Sequence, residues 1–242
     1  MESGPTSSLS GSVAVVTGGG RGIGLGIATA LGDLGATVVI TGRQESRVQA
    51  AARELSSHGP GCEGVVCDVT ELASVTALGT RLREKYGHVD ILVNNAGTAG
   101  PPCLLHELNP KDWDAIFDTN VRGVFYMLRV VVPLMMVAGA GHIVNISSLA
   151  GKNPLPRGAA YSASKWALNG VTYSVAEELR AHNIRVSLVC PGSVDTEFSP
   201  HPGKDPDRML KPEDVAHVVT MLVTQRAQSF VSEVLLRPTH KP

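Results

Sequence analysis

Residues 13–24 read VAVVTGGGRGIG and join a run of β-branched residues to the start of an apolar helical pattern. Glycines in such a turn let the chain reverse tightly, present bare backbone to a pyrophosphate, and allow the helix to pack close to the sheet. The N–H groups at the helix start then face the anion. A purely structural glycine turn is the alternative, but the position between the first strand and the first helix favours a dinucleotide site.

The spacing of the glycines indicates which class of nucleotide the turn binds. It is G-x-x-x-G-x-G rather than strict G-x-G-x-x-G, and no G-K-[ST] follows, which argues against a mononucleotide P-loop. The residues predicted to contact the dinucleotide in this turn are Gly18, Gly20, Arg21, Gly22, Ile23 and Gly24.

The rest of the chain alternates short apolar runs with longer helical patterns. Predicted strands are 13–17, 37–41, 64–68, 91–94, 142–147, 185–190 and 232–236, and predicted helices are 22–34, 45–57, 71–86, 111–137, 161–182 and 212–223. Near-continuous apolar strands are typical of a parallel sheet covered on both faces. The alternation predicts a single-domain α/β Rossmann fold with a doubly wound, mostly parallel sheet of about seven strands. Residues 1–10 are predicted as a flexible segment, 11–242 as the domain, and about 193–210 as a substrate loop.

Composition excludes several classes of protein. Among 242 residues, 21 Lys and Arg balance 22 Asp and Glu, so there is no basic surplus for broad nucleic-acid binding. A hydrophobic fraction of 43% excludes intrinsic disorder. The four cysteines form no CxxC pair, so we predict reduced packing residues and no metal site. The N-terminus lacks the basic and apolar regions of a secretory signal, and 123–139, interrupted by Arg129 and Pro133, is judged too short to span a bilayer. We therefore expect a cytoplasmic protein without membrane contact.

The end of the second predicted strand indicates which dinucleotide binds. NAD sites usually carry Asp or Glu there, whereas this chain has Gly42 followed by Arg43, with Arg21 in the glycine turn. Guanidinium groups offer a planar fork for a phosphate. Two solvated surface arginines are the alternative, but the pattern predicts a 2′-phosphate site and thus NADP(H).

Tyr161 and Lys165 lie four residues apart in a helical pattern and so share one helix face. An ammonium beside a phenol lowers the phenol pKa toward the range useful for proton transfer. Ser148 ends the apolar run HIVNISS, at the sheet edge where doubly wound proteins bind ligands. A plain helix face is the alternative for an isolated Tyr-x-x-x-Lys pair.

Together these motifs resemble the short-chain dehydrogenase/reductase family, over about residues 11–236, and look similar to its 3-oxoacyl-carrier-protein reductase-like branch. The residues that carry the resemblance are TGGGRGIG (17–24), CDV (67–69), NNAG (94–97), Asn120 in DTNVRG, ISS (146–148), YSASK (161–165) and PGSVDT (191–196).

The resemblance implies roles for the individual residues. Tyr161 would be the general acid or base, Lys165 would lower the pKa of Tyr161 and hold the nicotinamide ribose, Ser148 would orient the carbonyl, and Asn120 would hold a water in a proton relay. The remaining residues would contact the cofactor: Asp68 and Val69 at the adenine; Asn94, Asn95, Ala96 and Gly97 along its length; and Pro191, Gly192, Val194 and Thr196 near the nicotinamide amide.

The implied function is an NADPH-dependent oxidoreductase (EC 1.1.1.-) that reduces a ketone or 3-oxoacyl-type carbonyl to a secondary alcohol. Alternatives are an alcohol or sugar dehydrogenase working oxidatively, an epimerase or dehydratase on the same scaffold, and a non-catalytic cofactor sensor. Relatives imply a homo-oligomer, a tetramer or dimer. The tail LLRPTHKP departs from the family's usual ending and puts a C-terminal subunit contact in doubt. Trp113, Trp166 and Phe198 are candidates for the substrate pocket, with ordinary packing as the alternative.

Overall fold

A computed structural model describes residues 9–57, 61–198, 203 and 205–242. Its centre is a sheet of seven strands in the order β3-β2-β1-β4-β5-β6-β7, with every neighbouring pair parallel. The strand order reverses between β1 and β4, which is the topological switch point of a doubly wound sheet. The strands are β1 (Val13–Thr17), β2 (Thr37–Gly42), β3 (Cys62–Val66), β4 (Ile91–Asn94), β5 (Gly141–Ile146), β6 (Ile184–Pro191) and β7 (Glu233–Leu236).

Helices cover both faces of the sheet and divide its core in two. Alternate residues of β1 show the division, because Ala14 and Val16 pack with α1, α2 and α7 while Val15 packs with α3, α5 and α6. All five β1 residues are buried, as expected for a central parallel strand. The helices are α1 (Gly22–Asp33), α2 (Glu45–Ser56), α3 (Leu72–Tyr86), α4 (Pro110–Phe117), α5 (Gly123–Ala138), α6 (Ala159–Leu179) and α7 (Pro212–Val223). The predicted fold class is confirmed.

The predicted third strand, 64–68, is displaced by two residues from the observed β3, Cys62–Val66. This strand lies at the edge of the sheet and pairs only with β2 among the described strands. An edge strand has less need of an apolar run, and Glu63 accordingly points into a polar cluster with Lys85 and Tyr86. The hydrophobic pattern therefore missed its first two residues.

The predicted helix 111–137 is interrupted. One π-helical turn, Asp118–Arg122, separates α4 from α5 within a continuous run of 29 residues, Pro110–Ala138. A π turn inserts one extra residue and rotates the side chains that follow, and such turns are frequent at functional sites. Here it directs the buried Asn120 toward the loop after β4.

The same run corrects the statement that this apolar stretch is too short to span a bilayer. Among the described residues it is one helix that by length and composition alone could cross a membrane, since an 18-residue window within it has a mean hydropathy of 1.7. Its inner side is nevertheless part of the core, where Met127, Val131 and Met135 are buried with α3 and the sheet. These contacts make it a core helix of the domain.

The structure changes the description of two predicted irregular segments, the N-terminal segment 1–10 and the substrate loop 193–210. Leu9 is buried and its N–H donates to the Leu34 carbonyl at 2.7 Å, so the predicted flexible segment is wrong at Leu9, while residues 1–8 lie outside the described residues. The predicted substrate loop is closed at its base by a parallel bridge between Val194 and Leu210. Within it, Pro206 begins a short 3₁₀ turn; Pro200 and Pro202 lie outside the described residues.

Candidate active site

The carboxyl ends of the parallel strands open into a cleft of about 1240 Å³ that spans the switch point. Its walls come from the glycine turn after β1, the ends of β2, β4, β5 and β6, the start of α6, and residues 237–242. This volume exceeds that of an ordinary small-ligand pocket, roughly 300–1,000 Å³, and is suited to a dinucleotide together with a substrate.

The glycine turn is built to receive a phosphate close to backbone. Gly18 and Gly22 have φ of +65° and +52°, a conformation that glycine adopts without cost. Asn95 fixes the turn from β4, since its Nδ2 donates to the carbonyls of Thr17 at 2.9 Å and Gly18 at 3.3 Å. A Cβ at Gly24 would lie 2.3 Å from the Gly18 oxygen, so Gly24 is required for packing of α1 against the turn.

Three arginines gather where the β1 and β2 ends meet. Arg21, Arg43 and Arg47 are exposed and line the same part of the cleft. Arg21 Nη1 and Arg47 Nη1 both donate to Glu197 Oε2, at 2.8 and 3.2 Å. Arg43 forms no ion pair within the described ranges. This donor set, together with the glycine cradle, fits a dinucleotide that carries a 2′-phosphate.

Most residues predicted to bind the cofactor line this one cleft. They are Gly18, Gly20, Arg21, Gly22, Ile23, Arg43, Asp68, Val69, Asn95, Ala96, Gly97, Tyr161, Lys165, Pro191, Gly192, Val194 and Thr196. Gly24 lies behind the turn instead. Asn94 corrects the expectation that it lines the cofactor, because it is buried in the sheet and its Nδ2 donates to Asn145 Oδ1 at 2.8 Å.

The polar side chains at the other end of the cleft are held by α6 and the turn after β5. Ser148 is the second residue after β5, and its Oγ accepts from the Ala150 N–H at 3.1 Å. Tyr161 and Lys165 lie on the first turns of α6, and Lys165 Nζ lies 5.8 Å from the centre of the Tyr161 ring. Nζ also donates to the Ile146 carbonyl at 2.9 Å. The structure thus brings Ser148, Tyr161 and Lys165 to one wall.

Burial determines the protonation of this pair. Removal from water raises the pKa of Tyr161 to about 12, although a hydrogen bond with the Ser148 hydroxyl opposes the rise. Burial also lowers the pKa of Lys165 to about 8, because an ammonium is costly in a desolvated site. Burial is thus the largest cause of both shifts, and the lowering of the Tyr161 pKa by Lys165 stays a prediction.

Asn120 lies beside the cleft rather than on its surface. Its Nδ2 donates to the Thr98 carbonyl and to Ser164 Oγ, both at 2.9 Å, and its Oδ1 accepts from the Thr98 N–H at 2.9 Å. A Cβ placed on Gly97 would lie 3.2 Å from Asn120 Oδ1 and 3.8 Å from Lys165 Nζ. Asn120 therefore faces the same small space as the lysine.

Comparison with known proteins matches this architecture. The family model described as short chain dehydrogenase matches residues 12–206. The chain belongs to the short-chain dehydrogenase family.

Relatives of this short-chain dehydrogenase match over nearly their whole length. An uncharacterized oxidoreductase of Staphylococcus saprophyticus is 36% identical over 231 residues, covering 95% of this chain and 98% of its own. A metagenomic short-chain oxidoreductase solved in complex with NADP is 48% identical, with a TM-score of 0.86 and coverage of 97% of this chain and 100% of its own. An alcohol dehydrogenase from Thermococcus sibiricus, complexed with 5-hydroxy-NADP, is 30% identical, with a TM-score of 0.88 and coverage of 96% and 98%. These names do not single out the 3-oxoacyl-carrier-protein reductase branch, which stays a prediction.

Several residues of this short-chain dehydrogenase that line the cleft were missed from the sequence. Arg47 follows Arg43 by four residues and lies on the first turn of α2, so it could have been found by placing it on the face of that helix toward the strand end. Glu197 gives no such signal, because its partners are 176 and 150 residues away. Residues 237–242 also line the cleft, and a Cβ on Gly192 would lie 3.1 Å from Pro238 Cδ.

Of the three aromatic residues predicted for the substrate pocket, one lines the cleft and two do not. Phe198 lines the cleft, with its ring centre 6.1 Å from that of Tyr161. Trp113 stacks on Phe117 at 4.5 Å, and Trp166 is 54% exposed; neither lines the cleft. Ordinary packing accounts for Trp113.

Proposed function

We propose that this short-chain dehydrogenase is an NADPH-dependent carbonyl reductase that converts a ketone or 3-oxoacyl-type substrate to a secondary alcohol. One observation carries the proposal: Ser148, Tyr161 and Lys165 share a wall of the cleft whose far end is lined by three arginines. The first group suits proton transfer to a carbonyl oxygen, and the second suits a 2′-phosphate.

The protein's own contribution is to supply and place a proton. NADPH supplies the hydride when bound. With its pKa raised to about 12, the Tyr161 phenol keeps its proton at neutral pH and can donate it to an oxygen that becomes negative. The Ser148 hydroxyl lies against the phenol, so both O–H groups can converge on one carbonyl oxygen. Phe198 lies near the Tyr161 ring on this side, and Pro238 lies against Gly192.

Lys165 and Asn120 would restore the proton. The buried Lys165 ammonium is directed by the Ile146 carbonyl, which leaves its other N–H groups for a ribose hydroxyl and a water. Asn120 Oδ1 and Lys165 Nζ both lie within 3.8 Å of the position a Gly97 Cβ would take. A water in this space would connect them, which is the proton relay that the family resemblance implies.

The substitution Tyr161→Phe tests the mechanism because it removes the phenol proton and keeps the ring. Turnover is expected to fall by about 10²–10⁴, the usual contribution of a general acid, while NADPH still binds. Tyr126→Phe is the matched control, since Tyr126 packs at the core and lies outside the cleft. NADPH oxidation with a panel of ketones, 3-oxoacyl thioesters and sugars measures both; retained activity in Tyr161→Phe would refute the proposed acid.

Oxidation of an alcohol or sugar is the second candidate. The alcohol dehydrogenase from Thermococcus sibiricus is 30% identical over 96% of this chain. In that direction Tyr161 would accept the proton, and its raised pKa predicts an oxidative rate that increases with pH. Comparing rates in both directions with one ketone–alcohol pair distinguishes the two candidates.

We also infer a cytoplasmic homo-oligomer, a tetramer or dimer, without membrane contact. Exposed apolar side chains cluster on the helices α4 to α6, among them Phe125 at 53%, Val137 at 77% and Trp166 at 54% exposure. Such side chains are the usual content of a subunit interface. Light scattering on the purified protein measures the assembly, and a monomer would contradict the inference.

A further inference from the structure

Three consecutive residues after β6 cross the cleft and touch three different parts of its walls. Thr196 approaches the glycine turn, since a Cβ on Gly22 would lie 3.4 Å from its methyl carbon. Glu197 reaches the arginines, and Phe198 packs near the Tyr161 ring with 6.1 Å between ring centres. We call residues 196–198 the strap. It links the phosphate end of the cleft to the proton-transfer end.

Glu197 forms ion pairs with two of the arginines that would bind a cofactor 2′-phosphate. One carboxylate oxygen, Oε2, accepts from both Arg21 Nη1 at 2.8 Å and Arg47 Nη1 at 3.2 Å. Hydrogen bonds from these two guanidiniums lower the pKa of Glu197, so the group is an anion at neutral pH. Within the described ranges, these are the ion pairs of two of the three arginines at this end; Arg43 has none.

A carboxylate and a phosphate cannot both take the same N–H groups at full strength. The phosphate carries more charge and three acceptor oxygens, so it is the stronger partner for a cluster of arginines. A cofactor with a plain ribose 2′-hydroxyl brings no anion to this position and has nothing with which to displace Glu197.

We propose that Glu197 is a built-in competitor for the cofactor 2′-phosphate, and that binding of a phosphorylated dinucleotide frees the strap by displacing Glu197 from Arg21 and Arg47. This inference rests on the proposed NADPH dependence. Its consequence is that Glu197 lowers the affinity for NADPH and leaves that for NADH nearly unchanged. Because Phe198 adjoins Glu197, displacement also loosens the strap beside Tyr161 before a substrate enters.

The substitution Glu197→Gln tests the proposal, because it removes the anion and retains the shape. Binding is measured by calorimetry with 2′,5′-ADP against 5′-ADP, and by fluorescence with NADPH against NADH, all without a carbonyl substrate. We expect roughly two- to tenfold tighter binding of the two ligands with a 2′-phosphate, the scale set by exposed ion pairs, and no change for the other two. In an Arg21→Gln, Arg47→Gln background, Glu197→Gln should have no effect.

Glu177→Gln is the matched control. Glu177 has the same side-chain exposure, 69% against 70%, and pairs with Arg180 at 3.1 Å on α6, outside the cleft. Equal affinities for all four ligands before and after Glu197→Gln would refute the competition, and weaker NADPH binding would show that Glu197 retains the cofactor instead. If no ligand with a 2′-phosphate binds even to the unaltered protein, the proposed NADPH dependence fails as well.

Discussion

Replacing Lys165 with Met should make the protein more stable at neutral pH while removing its activity. Lys165 is 4% exposed, and burial lowers its pKa from 10.5 to about 8. At about 1.4 kcal/mol for each pH unit, keeping this ammonium charged in the folded protein costs about 3 kcal/mol at pH 7. Met fills a similar volume without that cost. It forfeits the hydrogen bond to the Ile146 carbonyl, worth about 1 kcal/mol, so a net gain of about 2 kcal/mol is expected.

The pH dependence of this gain has a definite sign. Below pH 8 the lysine is charged in both the folded and unfolded states, and the full cost is present. Between about pH 8 and 10.5 the folded state releases its proton while the unfolded state keeps it, so the free energy of unfolding of the native sequence rises. The advantage of Lys165→Met should thus shrink by about 3 kcal/mol from pH 7 to pH 10.5.

Urea unfolding of both proteins between pH 6.5 and 10.5 measures the difference. Other groups contribute to each curve, since burial raises the pKa of Cys62 to about 11 and of Tyr161 to about 12, but their effects cancel in the difference. Lys111→Met is the control, because that exposed side chain stays in water in both states. A difference between native protein and Lys165→Met that does not change with pH would refute the argument.

Two other substitutions test the cofactor end. Gly24→Ala should lower the free energy of unfolding by about 3 kcal/mol, roughly 6–12 °C in Tm, because its Cβ would lie 2.3 Å from the Gly18 oxygen. Gly20→Ala is the control, since its Cβ would meet nothing nearer than 3.7 Å and should leave Tm unchanged. Equal losses of Tm in the two variants would contradict this explanation. Arg43→Gln should raise the NADPH dissociation constant by about 10- to 100-fold and change that for NADH less than about twofold, as fluorescence titration can measure. An unchanged preference between the cofactors would show that the 2′-phosphate binds elsewhere.

The parts of the fold that sequence patterns predict are those with a strong local cause. The central strands β1 and β4 were predicted to the residue, because both faces of each are buried and the sequence must be continuously apolar. The glycine turn was predicted because close backbone approach leaves no alternative to glycine. That cause is absent at the edge strand β3, where Glu63 bonds to Lys85 and Tyr86 instead of packing in the core. It is also absent in the π turn, where Asn120 is held by Thr98 and Ser164, which are distant in sequence.

Some features of the active site were likewise predictable from the sequence and others were not. Residue types at fixed spacing identified Ser148, Tyr161 and Lys165 as a group, and the structure places them together. The direction of the Tyr161 pKa was not predictable, because it depends on how much water the surrounding chain removes rather than on the neighbouring charge alone. The contact of Glu197 with the arginines could not be predicted from the sequence for another reason. An ion pair across the cleft exists only once the strands have brought the glycine turn and the strap together.

The two ends of the cleft use charge in opposite ways, and the sheet order explains how one small domain accommodates both. The arginines lie at β1 and β2 and remain exposed, so their charge costs little and can be offered to a phosphate. Tyr161 and Lys165 lie beyond β5, three strands from β2 and so about 14 Å across the sheet. Burial there keeps the phenol protonated and lowers the pKa of the ammonium to about 8. A phosphate near Lys165 would favour its charged form and undo that tuning. Separating the two sites by the switch point lets selection of the cofactor and transfer of the proton be adjusted independently, and the strap is the part of the chain that touches both.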